Sequence, residues 1–392
     1  MTINAKSIES SETARYNRSS IYSILINHTE QKFAKEIKEQ FLNIPTPDQY
    51  DNHDLNVKVV NVSDGKEHTD SIHAFVADNN IASRMVAKWF NRNILTGECS
   101  TELVEQRGIY NASDLDKALA ENSVRGQALL ADAGEELIGQ SFLLVNEIKY
   151  VDKSKTSKAF GTGLKILGNI AGSITGLGSL AQEGGKLLGN MIESIKGFKV
   201  KITTHLYQLQ WDDEAAAIFY EQCYATVPDE QKRKAFEDNR DKFKLKYIGK
   251  VESSGSTTSF MGINEDEPFK MVRKACQRAL DENIVDLQKH HDQFRVKAPV
   301  KKIFDKEITA AIGMKEGINE NSKYEVLEAQ INKEGKTIYK RIAIVRPVPN
   351  KIWDNRYMAT EEMAFGANLG ATTFVKESGG DIYPGHLLRQ ID

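Results

Sequence analysis

The sequence predicts an α/β fold, in the wider sense of α+β, because distinct patterns follow one another along its 392 residues. Between residues 55 and 292, apolar strands alternate with helical patterns, which is typical of a sheet with packed helices. Beyond residue 293, short alternating strands separated by turns predict a small β-barrel. A glycine-rich apolar segment, 160–198, interrupts the first region and predicts a helical hairpin insertion.

These patterns divide the chain into successive regions. The predicted regions are an N-terminal docking segment and helix (1–50), an α/β domain (51–292) that contains the hairpin insertion, an SH3-like β-barrel (293–346) and an irregular C-terminal tail (347–392). Within the first region, Ile21–Ile26 form a short apolar element that is expected to dock on the body. A helix over Glu30–Phe41 follows, and two prolines prevent its continuation.

Periodicity assigns the elements of the α/β domain. Strands are predicted at Leu55–Val62, Ser100–Gln106, Ser141–Ile148, Lys199–Trp211 and Phe243–Tyr247. Helices are predicted at Ile81–Phe90, Ser113–Asn122, Val124–Ile138, 228–242 and 268–290. Asp212, Asp213 and Glu214 are expected to form an acidic turn between strands. The barrel strands are predicted at Phe294–Ala298, Lys302–Phe304, Ile308–Ile312, Tyr324–Ala329 and Thr337–Val345.

The insertion has an unusual glycine pattern. Residues 160–181 carry a single charge, and Gly168, Gly172 and Gly176 are four residues apart. On a helix these glycines share one face, which lets another backbone approach closely, as in helices that associate in lipid. Each glycine costs about 1 kcal/mol relative to alanine in a helix. The pattern therefore favours close packing or a membrane.

The second arm of the insertion is predicted to be an amphipathic helix that follows the breaker pair Gly184-Gly185. The residues predicted to contact a membrane or another copy of the chain are Leu164, Gly168, Gly172, Gly176, Leu187, Leu188, Met191, Ile192 and Ile195. The alternative is an insertion that packs within its own soluble domain.

Composition restricts the classes of partner. Fifty-two basic and fifty-five acidic residues give a net charge of −3, so nucleic acid is not an expected partner. The three cysteines are isolated in sequence and are expected to be packing residues. The N-terminus has no apolar signal region. We therefore expect a cytoplasmic protein if Met1 is native, and a periplasmic or outer-membrane protein if a signal was removed.

Several polar residues of the chain are of types that catalyse reactions or bind metals. His68 and His73, near Asp64 and Asp70, could ligate a metal, but a solvated loop explains them better. His290-His291 is expected to complement a helix dipole. The residues Ser113, Ser254, Ser256 and Cys99 lack the sequence setting of a nucleophile, and Gly65-Lys66 lacks that of a phosphate-binding loop. We therefore predict neither an enzyme nor a metal or other cofactor.

Residues 55–292 resemble the CsgG family of curli secretion channels, whose core is similar to the TolB amino-terminal domain. The resemblance lies in the order of four passages. They are IASRMVAKWFNR with STELVEQRG (81–108), LLADAGEELIGQSFLLVNEIKY (129–150), KITTHLYQLQWDDEAAAIFY (201–220) and PFKMVRKACQRALDENIVDLQ (268–288). Residues 300–346, with AAIGMKEGINENSKYEVLEAQ, resemble the SH3-like barrel of FlgT-type envelope proteins.

This resemblance implies a non-enzymatic role in envelope assembly or secretion, with protein partners and self-association. In the curli channel, the inserts equivalent to 151–199 and 212–267 form membrane β-hairpins, which require alternating apolar and polar residues. The first insert here has helical and glycine periodicity instead. The resemblance thus supports the core and an envelope setting, but not a large β-barrel pore.

Overall fold

The computed structural model describes residues 8–9, 19–63, 69–111, 134–151, 198–256, 268–304, 306–331 and 337–391. The strands are β1 (Ile8–Glu9), β2 (Ser19–His28), β3 (Tyr50–Asn52), β4 (Val59–Val62), β5 (Ser141–Tyr150), β6 (Lys199–Gln210), β7 (Lys244–Ser256), β8 (Ala298–Pro299), β9 (Lys302–Phe304), β10 (Glu307–Ala310), β11 (Tyr324–Ile331), β12 (Thr337–Pro347), β13 (Thr372–Gly379) and β14 (Leu387–Gln390). The α-helices with bounds inside these ranges are α1 (Ala34–Leu42), α2 (Thr69–Asp78), α3 (Ile81–Trp89), α4 (Glu102–Asn111), α5 (Asp213–Ala217), α6 (Glu230–Asp238) and α7 (Pro268–His290). The mixed α+β class predicted from the sequence is confirmed.

The first sheet has the order β3-β2-β5-β6-β7, with β4 also paired to β2. Strands β3, β4 and β5 run parallel to β2, whereas β6 and β7 continue the sheet in antiparallel fashion. Strands β2 and β5 are apolar on both faces because helices cover the sheet from both sides. Tyr22 and Ile24 point toward α2, α3 and the segment 213–243, whereas Ile21 and Leu25 point toward α1 and α7.

The second sheet is antiparallel and curls into a half-barrel in the order β1-β9-β10-β13-β12-β11-β14-β8. Residues 298–304 bring its two ends together. The amide of Val300 donates to the His386 carbonyl over 2.8 Å, and that of Lys301 donates to the Thr309 carbonyl over 2.7 Å. The interior is apolar and includes Val326, Val345 and Phe374.

Several sequence-predicted elements match the structure. The strand predicted at Ser141–Ile148 is β5, which lies between β2 and β6 as its apolar run indicated. The helix predicted at 268–290 is α7, with Val272, Cys276 and Leu287 fully buried. The predicted helices 81–90 and 30–41 correspond to α3 and α1. Of the two helices predicted between 113 and 138, only residues 134–138 are described, and they are helical.

The predicted strand Ser100–Gln106 is wrong, because these residues begin helix α4. Val104 and Arg107 are buried on the same helical face, and the guanidinium of Arg107 lies 4.4 Å from the ring centroid of Trp89. A buried arginine on the inner face hid the helical periodicity of this segment.

The acidic residues 212–214 were predicted to form a turn between strands, and they begin helix α5 instead. Asp212 is its N-cap, and its carboxylate accepts a hydrogen bond from the Ala215 amide over 3.0 Å. A π-helical stretch, Ile218–Cys223, continues from this helix. The acidic groups thus compensate the unpaired amides of a helix start.

The two ends of the chain also differ from the prediction. The predicted docking element Ile21–Ile26 is part of β2, which has paired neighbours on both sides. The tail 347–392 is not irregular, because it contributes β13 and β14 to the second sheet. In β13, Thr372 and Phe374 alternate inward with more exposed residues. Because this strand has few apolar residues, its extended conformation depends on hydrogen bonding to β10 and β12.

Candidate functional site at the base of the glycine-rich insertion

The contact residues predicted in the insertion lie outside the residues that the structure describes. They are Leu164, Gly168, Gly172, Gly176, Leu187, Leu188, Met191, Ile192 and Ile195. The structure does describe the base of the insertion, where the chain leaves β5 at Val151 and returns to β6 at Phe198. This base is the candidate site.

The base begins and ends on neighbouring antiparallel strands. Tyr150 of β5 is opposite Val200 of β6, and the Val151 amide donates to the Lys199 carbonyl over 2.8 Å. The chain therefore departs and returns at the same end of the sheet. A segment inserted here is held at both ends by one continuous hydrogen-bonded ladder.

Three aromatic rings pack together on one face of the base. Phe198 is fully buried, and its ring centroid lies 5.4 Å from that of Phe33 and 5.7 Å from that of Tyr150. The rings of Phe33 and Tyr150 are 5.0 Å apart in an edge-on arrangement, which is a favourable aromatic geometry. The ammonium of Lys32 lies 4.8 Å from the centroid of Phe33.

Gln31 extends the sheet beyond the end of β2. Its side-chain amide donates to the Ile148 carbonyl over 2.9 Å and accepts from the Tyr150 amide over 2.8 Å. The side chain thus takes the place of a further strand residue beside β5. Phe33, just before α1, adopts a left-handed conformation with φ of 64°, which turns the chain so that its ring reaches the base.

The opposite face of the base carries buried charge. His28 Nε2 and Glu147 Oε1 are 2.8 Å apart, and Lys149 Nζ is 3.3 Å from the same oxygen. His28 and Glu147 are almost completely buried. Polar partners on β2 and β5 therefore balance the Glu147 carboxylate, and removing one of them would leave a buried charge poorly compensated.

The sequence did not single out this base. Phe33 was recognised only as part of a helix face, and Glu147 only as part of a strand. The available signal was indirect: aromatic residues flank the insertion at Tyr150 and Phe198. Their proximity depends on strand pairing and on the turn at residues 29–33.

Of the two histidines considered as possible metal ligands, only His73 lies in the described part of the chain. His73 lies on helix α2, and its Nδ1 is 2.7 Å from the hydroxyl of Tyr207. His68 and Asp64 lie outside the described residues. His290 is the last residue of α7, and its Nδ1 is 2.7 Å from the Asp286 carbonyl. Among the residues that the structure does describe, no group of three or more metal-ligating side chains occurs.

The candidate nucleophiles have unreactive settings. All three cysteines are free and buried. Burial raises the pKa of each thiol, to about 11 for Cys223 and to about 12 for Cys276, and it also raises the pKa of Cys99. These thiols therefore remain protonated near neutral pH. Ser254 and Ser256 are exposed on β7, the last strand of its sheet. Ser113, Gly65 and Lys66 lie outside the described residues.

Within the described ranges, no helix is both long enough and apolar enough to cross a membrane. In comparisons with known proteins, no family model and no curated protein matches this chain.

Proposed function

We propose that this protein is a non-enzymatic assembly or secretion accessory protein of the cell envelope. In this proposal the α+β body holds residues 160–198 against a membrane or against a second copy of the chain. The proposal is supported chiefly by the base of the insertion, which buries Phe198 and pairs Val151 with Lys199. Such a base provides a rigid support for a segment whose glycine spacing suits helix association. The half-barrel supplies a further surface for protein partners, as the resemblance to FlgT-type proteins implies.

Excision of the insertion provides the first test. Residues 153–196 are replaced by a short glycine-serine linker, which retains Phe198 and both strands. We expect the full chain to float with liposomes and the excised chain to remain in the dense fraction, because about twenty apolar residues can reach across a hydrocarbon core. Circular dichroism of the excised chain establishes that the body still folds. Equal flotation of the two chains would contradict membrane contact through this segment.

A glycine substitution tests self-association. Leucine at Gly172 would separate helices that pack along the 168–172–176 stripe, so Gly172→Leu should shift the full chain to a smaller species in sedimentation analysis. Gly178→Leu is the matched control, because residue 178 faces away from this stripe on a helix. If Gly172→Leu, Gly178→Leu and the parent all give the same sedimentation profile, the chain does not self-associate through the glycine stripe.

The alternative is a soluble scaffold or interaction module in which the hairpin packs against its own body. It predicts that neither the full nor the excised chain floats, and that excision lowers the unfolding midpoint. Flotation and unfolding measured on the same pair of proteins therefore distinguish the two functions.

A further inference from the structure

A cleft in the body lies between helix α7, the loop before β4 and the middle of β2. It encloses a cavity of about 60 Å³ and is lined by residues of β2, β5, α7 and the 44–58 segment. All of its lining residues belong to the body. The inference drawn from it is therefore independent of the insertion and of the proposed function.

An interruption in the edge of the sheet opens this cleft. Strands β3 and β4 both pair with β2, but residues 54–57 between them leave the ladder. The His53 amide still donates to the Ile21 carbonyl, and the Lys58 carbonyl still accepts from the Leu25 amide. Asn56 has a positive φ of 67°, and its amide donates to the Asp54 carboxylate over 2.8 Å, which fixes the detour. As a result Ser23 is the one residue of β2 that is not fully buried.

The floor of the cleft is polar within an apolar face. Asn146 donates to Ser23 Oγ over 2.8 Å and accepts from Thr204 Oγ1 over 2.8 Å, and Asn283 donates to Thr204 Oγ1 over 2.8 Å. This chain of hydrogen bonds crosses three strands and separates two apolar clusters beneath α7. Polar groups at such depth are usually paired, but Asn283 Oδ1 has no hydrogen-bond partner among the described residues. The floor is thus a row of hydrogen bonds with one unsatisfied acceptor.

Asp281 lies in the wall of the cleft. The residue is only 9% exposed, and its Oδ2 has no hydrogen-bond partner among the described residues. It lines this cleft and also a smaller cavity beside the 3₁₀ helix Met314–Glu316. The nearby charged groups are Arg278 on the same helix, Asp48 in the loop before β3, and Lys315 and Glu316 on the 3₁₀ helix. None of them forms an ion pair with Asp281 in the described part of the chain.

Charge and size define the kind of ligand that the cleft would accept. The other charged residues of the lining, Asp54 and Lys58, pair with each other over 3.1 Å, so Asp281 supplies the unbalanced negative charge. A cavity of 60 Å³ has room for roughly two water-sized groups at about 30 Å³ each, so it would enclose the ammonium end of a ligand while the rest of the chain lies along the open cleft. The remaining wall includes Ile21, Leu144 and Ile284, which suit a short hydrocarbon chain.

We propose that this cleft binds a small primary alkylammonium group, with the nitrogen at Asp281 and the carbon chain against the apolar wall. A free short-chain amine and the lysine side chain of a protein partner share this chemistry. The bound ammonium would supply the opposite charge that the Asp281 carboxylate lacks. Binding should therefore weaken as pH falls from about 8 to about 5, because burial raises the pKa of Asp281 to about 7 and the protonated acid offers no charge.

Calorimetry on the full chain tests the site with n-butylammonium chloride as the probe and n-butanol as its neutral counterpart. We expect butylammonium to bind about tenfold or more tightly than butanol. Asp281→Asn, which keeps the side-chain volume, should abolish this preference. Asp286→Asn changes a partly exposed carboxylate of the same helix that lies outside the cleft lining, and it should leave the preference unchanged. A circular dichroism spectrum shared by all three proteins excludes misfolding as the cause.

A second probe distinguishes the two sources of the ammonium group. If a partner's lysine is the occupant, Nα-acetyl-lysine methylamide should bind at least as tightly as butylammonium. If a free amine is the occupant, the blocked lysine should bind much more weakly. Equal binding of butylammonium and butanol, full binding by Asp281→Asn, or no binding of either probe at millimolar concentration would overturn the proposal.

Discussion

At the residue scale, two buried carboxylates of this protein have opposite surroundings. Glu147 lies within ion-pair distance of His28 and Lys149, so its charge is compensated where β2 and β5 end. Asp281 has no such partner among the described residues, and burial raises the pKa of its carboxyl group to about 7. The first carboxylate stabilises the base of the insertion, whereas the second costs folding free energy.

The pH dependence of stability should expose this cost. Because the folded-state pKa of Asp281 lies above its usual value of 3.8, the folded protein keeps the Asp281 proton up to a higher pH than the unfolded chain does. Asp281 therefore lowers stability progressively from about pH 4 to about pH 7, by roughly 4 kcal/mol in total. We expect Asp281→Asn to be more stable than the parent by about 2–4 kcal/mol at pH 8 and nearly equal at pH 4.

Guanidinium unfolding of the two proteins at both pH values measures this difference. Asp286→Asn is the control: it removes a carboxylate of the same helix that pairs with Lys289, and it should not stabilise the protein at pH 8. A difference between Asp281→Asn and the parent that stays constant from pH 4 to pH 8 would contradict a carboxyl group with a raised pKa.

At the element scale, α7 packs so closely on β7 that one glycine sets the distance. A Cβ added at Gly255 would lie 1.9 Å from the backbone oxygen of Ala275. Neither backbone can move without disturbing the apolar cluster around Val272 and Cys276. The absence of a side chain at residue 255 thus lets the longest described helix lie across the sheet.

We expect Gly255→Ala to lower the free energy of unfolding by about 2–3 kcal/mol, because α7 must shift to accommodate the new methyl group. Gly249→Ala on the same strand is the matched control. A Cβ added at Gly249 would contact the ring of His291, and this ring can rotate away because it is the end of a side chain. Thermal unfolding of both variants checks the prediction, and equal midpoints would show that the contact at residue 255 is not tight.

At the scale of the whole molecule, α7 also contacts the segment between β12 and β13. Glu362 forms ion pairs with Lys274 and Arg278, both on α7. Arg278 also donates a hydrogen bond to the Tyr357 carbonyl over 2.8 Å. Lys274 is almost fully buried at this contact. The helix therefore links the first sheet to the half-barrel.

Glu362→Gln should destabilise the protein by about 1–3 kcal/mol, because two cations of α7 lose the carboxylate that balances them. Glu361→Gln changes an exposed neighbour and should have little effect. Differential scanning calorimetry of both variants measures the change. If the two variants unfold at the same temperature, Glu362 does not contribute to the link.

Part of this organisation could be predicted from local patterns. Periods of two and of three to four residues identified β5, β6 and α7, because their inner faces are almost wholly apolar. The same reasoning failed for α4, where Arg107 occupies the inner face, and for β13, where threonine replaces larger apolar residues. At these places the stabilising contacts come from residues distant in sequence, such as Trp89 for Arg107.

The sequence by itself determined the α+β class, the helix at 268–290 and the glycine spacing of the insertion, because each depends on neighbours within a few turns or strand residues. Only the tertiary structure decided that Ile21–Ile26 lie inside a sheet, that Phe33 and Phe198 meet at the base of the insertion, and that Asp281 is buried without a partner among the described residues. Each of these depends on which distant segments pack together, and chain pairing of that kind leaves little trace in local periodicity.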